Sequence, residues 1–323
     1  MYKKMILLIS SKYDVTTTIV ARWLHGLDAE FIRINTETQS ILNYLIINKK
    51  AVDLCINTID FTKVKKVWHR RGRLRHLPLS LNNLGNVTQY LKKEEDSLIK
   101  SIENLLKQNI DYVGSYIQEA ENYKLDHLIL ARACGLNIPD SIVTTSKKEL
   151  LKFNSSYRKI ITKELRYPIS VNAKNMHISS VGTFVVETGM IESLDDTFAP
   201  VFLQEYIEKQ WEIRIFFYKE KLYPMAIFSQ NDTFTKTDYR NYNRNTPNRC
   251  VPVNLPPDII EKIKAFTSKA ALTTGSIDII YSEKGEYVFL EVNPMGQLDW
   301  LSKNCNYYIE KEIAEDLISD GID

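Results

Sequence analysis

The chain has little of what marks a secreted, disulfide-rich or disordered protein. Only four of its 323 residues are cysteines, and they form no CxxC pair and have no histidine at metal-ligand spacing. It has only 10 prolines and 11 glycines, and no low-complexity tract. These shortages exclude a disulfide framework and a cysteine-based zinc site, and they favour free thiols in a reduced cytoplasm.

Long hydrophobic runs are also missing. The opening "MYKKMILLISSKYD" has two lysines before an apolar run, but that run breaks after about five residues, which is too short for a signal peptide or a membrane span. We interpret it as a first buried strand. The expected protein is therefore cytoplasmic and makes no membrane contact.

The chain has no large excess of charge of one sign. Its 42 basic and 40 acidic residues leave a net charge of +2, which is too small for a general polyanion binder. One basic patch stands out, "VWHRRGRLRH" from Val67 to His76. It could contact nucleic-acid phosphates, although a charged strand end or an oligomer surface is the more frequent explanation.

Several catalytic motifs are absent. The sequence contains no GxxxxGK[ST], no GxGxxG and no GxSxG, and its five histidines form no HExxH and no close pair: His25, His69, His76, His127 and His177. A P-loop kinase, a Rossmann dehydrogenase, an α/β-hydrolase and a zinc hydrolase therefore fit poorly.

The patterns that are present predict an α/β protein with two or three domains. A strand from Lys4 to Ser10, a helix capped by Asp14 and a second strand "AEFIRIN" make a βαβ opening. We place domain boundaries after residues 112 and 203. Further predicted elements are a hairpin in "NYLIINKKAVDLCIN", helices at 86–109, 257–273 and 306–319, a strand at 140–145, two strands joined across 219–221, and a long polar loop at 231–257.

The hairpin "SIDIIYSEKGEYVFLEVNP" holds the most informative side chains. A two-residue turn at Lys284 and Gly285, or a four-residue loop around them, puts Asp278 directly opposite Glu291, and Asn293 then shares the face of Glu291. Carboxylates that close repel each other unless a cation lies between them. Oxygen-only ligation suits Mg²⁺. The alternative is that Asp278 faces solvent and the other two merely end a strand.

Three further positions are candidates for anion binding. Lys163 ends the strand "KIITKEL" and could reach a phosphate oxygen, or it could simply extend into solvent. Arg214 follows Glu212 in "WEIRIF" and could reach a phosphate or a carboxylate, unless both belong to an exposed charged face. Arg240 in "KTDYRNYNRN" could clamp an anion, although solvated surface is its default interpretation.

Taken in chain order, these residues resemble the ATP-grasp superfamily, whose signature is a strand-end lysine, an adenine-hinge strand and a terminal Asp, Glu-x-Asn triad. The stretches "DVTTTIVARWLHGLDAEFIRINTE", "ENYKLDHLILARACGLNIPDSIVTT" and "FLEVNPMGQLDWLSKNCNYYIEKEIAEDL" are similar to graspetide synthetases of the grasp-with-SPASM type. One departure is that no glycine follows Lys163 until Gly182, where many ATP-grasp enzymes have a glycine-rich loop.

The resemblance implies a fold and a role for each residue. The implied fold is α/β (α+β), an ATP-grasp fold with an N-terminal pre-ATP-grasp domain at 1–112, a central lid domain at 113–203 that docks the leader peptide, and a C-terminal domain at 204–323 that holds the metal. The implied roles are Mg²⁺ ligation by Asp278, Glu291 and Asn293; phosphate contacts by Lys163 and Lys124; adenine contacts by Gln204, Glu205, Tyr206 and Ile207; a ribose or metal-shell contact by Glu212; and contacts to the γ-phosphate and acceptor carboxylate by Arg214 and Arg240.

The implied function is an ATP- and Mg²⁺-dependent peptide macrocyclase, with two Mg²⁺ ions expected. It would phosphorylate Asp or Glu side chains of a ribosomal precursor peptide, which carries a leader and an acidic, hydroxyl-rich core, and join them to Ser or Thr hydroxyls or Lys amines. A homodimer is expected. Two alternatives stay open: a generic carboxylate-amine ligase acting on amino acids or a protein C-terminus, and a metal-dependent nuclease or nucleic-acid-binding module.

Overall fold

The structure is a computed structural model, which describes residues 5–78, 81, 84–166, 170–173, 176–179, 182–230 and 247–319. The chain separates into two compact units. Unit 1 comprises Met1–Glu121, Leu272–Gly275 and Pro294–Asp323, and unit 2 comprises Asn122–Ala271 and Ser276–Asn293. The three-domain division proposed from the sequence stays a prediction.

The elements up to residue 121 belong to unit 1. The strands are β1 (Met5–Ser10), β2 (Phe31–Asn35), β3 (Leu42–Ile47), β4 (Val52–Ile56), β5 (Ile59–Asp60), β6 (Val64–His69) and β7 (Asp111–Val113). The helices are α1 (Val15–Gly26), α2 (Asn86–Asn109) and α3 (Tyr116–Ala120), with a 3₁₀ turn at Phe61–Lys63.

The remaining strands are β8 (Ser141–Ser146), β9 (Ile160–Thr162), β10 (Ser170–Ala173), β11 (Met176–Ser179), β12 (Phe184–Val185), β13 (Thr197–Glu205), β14 (Lys209–Tyr218), β15 (Lys221–Phe228), β16 (Arg249–Pro252), β17 (Thr274–Ser282) and β18 (Tyr287–Asn293). The remaining helices are α4 (Lys124–Ala133), α5 (Lys147–Ser156), α6 (Thr188–Glu192), α7 (Pro257–Lys269), α8 (Asp299–Cys305) and α9 (Ile309–Ile318). Among the described residues, no helix has the length and apolar character that crossing a membrane would require.

Unit 1 is built on a parallel sheet in the order β2-β1-β6-β7. Asp14 caps α1 as predicted, since its carboxylate accepts from the Thr17 N–H at 2.7 Å. The core side of the sheet contributes Leu7, Ile9 and Val67, which pack with residues of α2 and of the β3–β5 region. The βαβ opening predicted from the sequence is confirmed.

Three buried charged side chains of unit 1 bind main-chain groups. Arg70 is only 4% exposed and donates to the carbonyl oxygens of Met295 and Gly296. Lys66 donates to the Asp316 carbonyl of α9, and the Glu95 carboxylate accepts from two main-chain N–H groups of the segment that follows β6. These contacts fix loops and helix ends, because main-chain groups need such partners when water is excluded.

A small antiparallel sheet in the order β3-β4-β5 completes unit 1. Leu42 and Leu45 of β3 pack against the core, whereas Tyr44, Ile46 and Ile47 are exposed. The sheet order places β3 at an edge of this sheet.

Unit 2 contains two larger sheets. One has the order β12-β9-β13-β8, and its core is formed by Leu150, Ile160, Ile191 and Leu203. The other has the order β16-β15-β14-β17-β18. β10 and β11 form a separate two-stranded sheet.

The hairpin of β17 and β18 pairs Asp278 with Glu291, as predicted, but through a β-bulge that was not predicted. Its loop is 283–285, closed by the Ser282 N–H on the Glu286 carbonyl, with Gly285 at a φ of 79°. A loop of this odd length would put Asp278 opposite Leu290, but a β-bulge at that position adds one residue and restores the pairing with Glu291. The predicted pair is confirmed. Four residues, 283–286, lie between the two strands, as in one of the two predicted loops, but the prediction of a hairpin without a bulge is wrong.

Two other predicted boundaries are wrong. The last helix begins at Ile309 and not at 306, because Asn306 and Tyr308 both adopt a left-handed backbone that interrupts a helix. A separate helix, α8, precedes it. Within the long polar segment, Arg249–Pro252 forms strand β16, which pairs with β15.

Candidate active site

The candidate site is a cleft in unit 2 with an empty volume of about 690 Å³. Strand ends from both larger sheets of the unit line it, so that residues far apart in sequence meet there. Its lining includes most of the predicted site residues: Lys163, Gln204, Glu205, Tyr206, Ile207, Glu212, Asp278 and Glu291.

Asp278, which lines this cleft, forms an ion pair with Arg214. The Arg214 Nη1 donates to both carboxylate oxygens of Asp278, at 2.9 Å each. Both side chains are about nine-tenths buried, at 9% and 12% exposure. An ion pair this well enclosed is held in one geometry, since neither charge can turn to water instead.

Glu291 is approached by two lysines. Its Oε2 lies 3.3 Å from the Lys124 Nζ and 3.8 Å from the Lys163 Nζ. The Lys124 Nζ also donates to the main-chain oxygen of Glu164, the residue after Lys163, at 2.8 Å. The two lysines predicted to contact phosphates therefore converge on one of the carboxylates predicted to bind Mg²⁺.

Asn293 lies at the exposed end of β18 and opposite Ser276. Alternation from Glu291 puts the two side chains on the same face of the strand. Asp278, Glu291 and Asn293 offer only oxygen donors on the paired strands β17 and β18, which is the donor chemistry that Mg²⁺ prefers. The set fits that ion by donor type, with two carboxylates and one amide. Among the described residues, no group of three or more His, Cys, Asp or Glu side chains is placed to hold a metal ion.

The hinge strand β13 is held in place by its own side chains. Gln204 is 1% exposed, and its Nε2 donates to the Ser141 hydroxyl at 2.9 Å. The Glu205 carboxylate accepts from the Asp140 main-chain N–H at 3.0 Å. Burial raises the pKa of the Tyr206 phenol, with nearby acidic groups adding to the rise. These contacts fix the backbone at the end of β13, where the cleft begins.

Lys209 is a site residue that the sequence reasoning missed. It lines the cleft beside Glu212, and its Nζ contacts the Glu212 Oε1. Both side chains are buried, at 3% and 8% exposure. The sequence did contain one indication of this pair, because Lys209 precedes Glu212 by three residues at the start of a strand. Such spacing is common on solvated surfaces, so by itself it does not predict a buried pair.

Two predicted features lie elsewhere. Arg240 lies outside the described residues. The basic patch from Val67 to His76 is in unit 1, where His69 and Arg70 are buried at 2% and 4% exposure. These two buried side chains cannot contact nucleic-acid phosphates, whereas Arg75 of the same patch is exposed and Arg71 and Arg73 are half-buried.

Comparison with known proteins identifies the fold. No protein-family model and no curated protein matches the sequence. Among solved structures, the chain is similar to a RiPP-associated ATP-grasp ligase of Chryseobacterium gregarium in complex with ADP and a leader and core peptide, at a TM-score of 0.81 and 24% identity over 98% of this chain and 95% of that one. It is also similar to the macrocyclase MdnC of Microcystis aeruginosa MRC bound with precursor peptide MdnA, at a TM-score of 0.78 and 23% identity over 98% and 100% of the two chains.

A third similar structure is the ATP-grasp ligase PsnB complexed with minimal precursor, Mg and ADP, at a TM-score of 0.74 and 17% identity over 97% and 96% of the two chains. All three matches span nearly the whole of this chain. The chain therefore has the α/β fold of the ATP-grasp ligases, and the fold predicted from the sequence is confirmed.

Proposed function

We propose that this protein is an ATP- and Mg²⁺-dependent ligase that closes rings in a ribosomal precursor peptide. It would join Asp or Glu side chains of the peptide to Ser or Thr hydroxyls, as esters, or to Lys amines, as amides. The proposal is supported by the fold and by the charges of the cleft in unit 2. The narrower grasp-with-SPASM assignment remains part of this proposal.

A single observation carries the proposal: three carboxylates that line one cleft are each contacted by cations. Arg214 is on Asp278, Lys124 and Lys163 approach Glu291, and Lys209 contacts Glu212. A site with these charges can receive an anion on its cations and a cation on its carboxylates at the same time. A nucleotide triphosphate with Mg²⁺ supplies both charges.

The residues divide between the two ligands by their chemistry. Asp278, Glu291 and Asn293 would hold Mg²⁺, which when bound offsets charge on the phosphate oxygens. Lys163 and Lys124 would contact the triphosphate as point charges. Gln204, Glu205, Tyr206 and Ile207 would bound the adenine, with Glu212 near the ribose, while Arg214 and Arg240 would contact the γ-phosphate and the peptide carboxylate.

The reaction requires activation, because a carboxylate is a poor electrophile with a poor leaving group. A peptide carboxylate oxygen would take the γ-phosphoryl group of ATP, which gives an acyl phosphate and ADP. The hydroxyl or amine of the peptide would then attack the acyl carbon and expel phosphate, so that the peptide loses one water for each link. Lys163, Lys124 and Arg214 would offset the negative charge that both steps bring together.

Two finer expectations belong to the proposal. A cytoplasmic location is supported by the four free cysteines, of which Cys250 has a pKa raised by burial to about 11 and so stays a thiol. A homodimer is expected from the resemblance to graspetide synthetases. The generic carboxylate-amine ligase remains the second candidate, because the same charges would serve any carboxylate.

The proposal can be tested by incubating the protein with ATP, Mg²⁺ and a candidate precursor peptide encoded beside its gene. Mass spectrometry should show loss of one water for each link, and ADP should appear in equal amount. Methanolysis of the product then separates esters from amides.

The controls distinguish the two ligase candidates. ADP formation with free amino acids, but none with the peptide, would favour the generic ligase. An authentic precursor that stays unmodified, with no ADP formed, would contradict the macrocyclase proposal.

A further inference from the structure

The exposed edge of β3 in unit 1 is unusual for a protein surface. Its sequence "ILNYLII", 41–47, contains no charged residue, no proline and no glycine. Ile41, Tyr44, Ile46 and Ile47 are between 43% and 74% exposed. Natural edge strands are normally protected by lysine, proline or a covering element, because they otherwise pair with another strand. The bare edge therefore points to a partner strand.

The hydrogen-bonding pattern between β3 and β4 determines which main-chain groups of β3 point outward. The Asn48 N–H donates to the Ala51 carbonyl, so the hydrogen-bonded pairs of β3 with β4 are Ile46 with Asp53 and Tyr44 with Cys55. The main-chain groups of Leu45 and Ile47 consequently point away from β4. At the start of β3, a β-bulge between Leu42 and Tyr44 interrupts this regular pattern.

We propose that β3 pairs antiparallel with β3 of a second copy of this chain, with Leu45 of the two copies opposite each other on a two-fold axis. This deepens the homodimer expected under the proposed function by naming its interface. A two-fold axis requires a surface that is complementary to itself. The uncharged 41–47 segment meets that requirement, since pairing it with itself opposes no like charges.

The charge and shape of the strand favour this register. With Leu45 on the axis, Tyr44 of each copy lies opposite Ile46 of the other, which gives two aromatic–β-branched pairs of a kind that stabilises antiparallel sheets. In this register Lys49 of each copy lies opposite Ile41 of the other, at the end of the paired segment, and a shift toward the hairpin tip would draw Lys49 and Lys50 further over the apolar strand. A shift the other way would place Leu45 opposite Asn43, at the bulge, where the Asn43 Oδ1 already accepts from the Thr58 N–H.

The register can be tested with two variants that carry charged residues at the same two positions. In Y44E/I46E, glutamates face each other twice across the axis, whereas in Y44K/I46E each lysine faces a glutamate of the other copy. V52K serves as the control, because Val52 is similarly exposed, at 42%, but lies on the neighbouring strand β4. Sedimentation equilibrium of the full chain measures the dimer dissociation constant of each variant.

The wild-type chain, V52K and Y44K/I46E should be dimers, and Y44E/I46E should dissociate at least about tenfold more readily. A dimer of Y44E/I46E as tight as the wild type would overturn this interface while leaving the homodimer intact. Equal weakening of both doubly charged variants would overturn the register, and a monomeric wild type would overturn interface and homodimer together. Binding of a non-hydrolysable ATP analogue should be the same in every variant, which keeps the test separate from the ligase proposal.

Discussion

The two units of the protein use buried charge in different ways. In unit 1, Arg70 and Lys66 donate to main-chain carbonyl oxygens and Glu95 accepts from main-chain N–H groups. In unit 2, Arg214 and Lys209 pair with side-chain carboxylates. A main-chain partner cannot leave without breaking the local fold, whereas a side-chain carboxylate can be given another cation. Lys66 and Glu95 also meet side-chain partners, Asp111 and Arg73, so it is their main-chain contacts that tie these unit 1 charges to the local fold.

Glu291→Ala gives the largest expected effect on the unit 2 side of this comparison. ADP formation with Mg²⁺ and the precursor peptide should fall by at least about 10³-fold, because the variant would lose one of the three proposed Mg²⁺ ligands. The protein should stay folded, which circular dichroism checks. Near-normal turnover would remove Glu291 from the metal site.

Arg70→Met tests the unit 1 side. The carbonyls of Met295 and Gly296 would lose their buried donors, so the free energy of unfolding should fall by about 2–4 kcal/mol, measured by urea denaturation. Arg71→Met is the matched control, since Arg71 is half-buried and adjacent, and it should cost less than about 1 kcal/mol. Equal losses in the two variants would contradict the structural role of Arg70.

Lys209→Met sharpens the comparison inside the cleft. Removing its charge takes a cation away from the Glu212 carboxylate and adds net negative charge to the cleft, so affinity for a non-hydrolysable ATP analogue should fall by about tenfold, measured by calorimetry. Adding Glu212→Gln removes that excess negative charge and should recover part of the affinity, which a double-mutant cycle quantifies. An additive double variant would show that the two side chains act independently.

The smallest expected effect is a pH dependence of stability from His69. Burial lowers the pKa of His69 in the folded protein, despite an opposing effect of the Glu103 carboxylate. The unfolded chain, with a pKa near 6.5, then binds the proton more readily, so stability is full above that pH and falls as the pH drops below it. The loss should be at most about 1 kcal/mol between pH 6.5 and 5.5, and His69→Gln should flatten that slope. Identical slopes would contradict the assignment.

Much of the fold follows from local pattern. The apolar periodicity predicted α2 at its observed bounds, Asn86–Asn109, and the Asp14 cap predicted the start of α1. Residues of this kind act on neighbours within a few positions, so their effect is visible in the sequence. Boundaries set by unusual backbone angles, such as the start of α9 after Tyr308, are not visible in that way.

The candidate site was likewise predicted only in part. Strand pairing brought Asp278 and Glu291 together in the prediction, although the observed loop and bulge differ from the assumed turn. The pairing of Lys209 with Glu212 was missed, because only burial on the cleft wall distinguishes it from a surface pair. The roles of the predicted ligands stay predictions until the variants are measured.

The sequence by itself determined the α/β character, the acids in the last hairpin and the uncharged run at β3, because each depends on residue type and short-range spacing. Only the tertiary structure decided which charges are buried and which groups they meet. Arg70 and the carbonyls that it binds are separated by more than 220 positions, at Met295 and Gly296. Such contacts arise from the packing of whole elements, and the free energy of burying a charge depends on the partners that packing supplies.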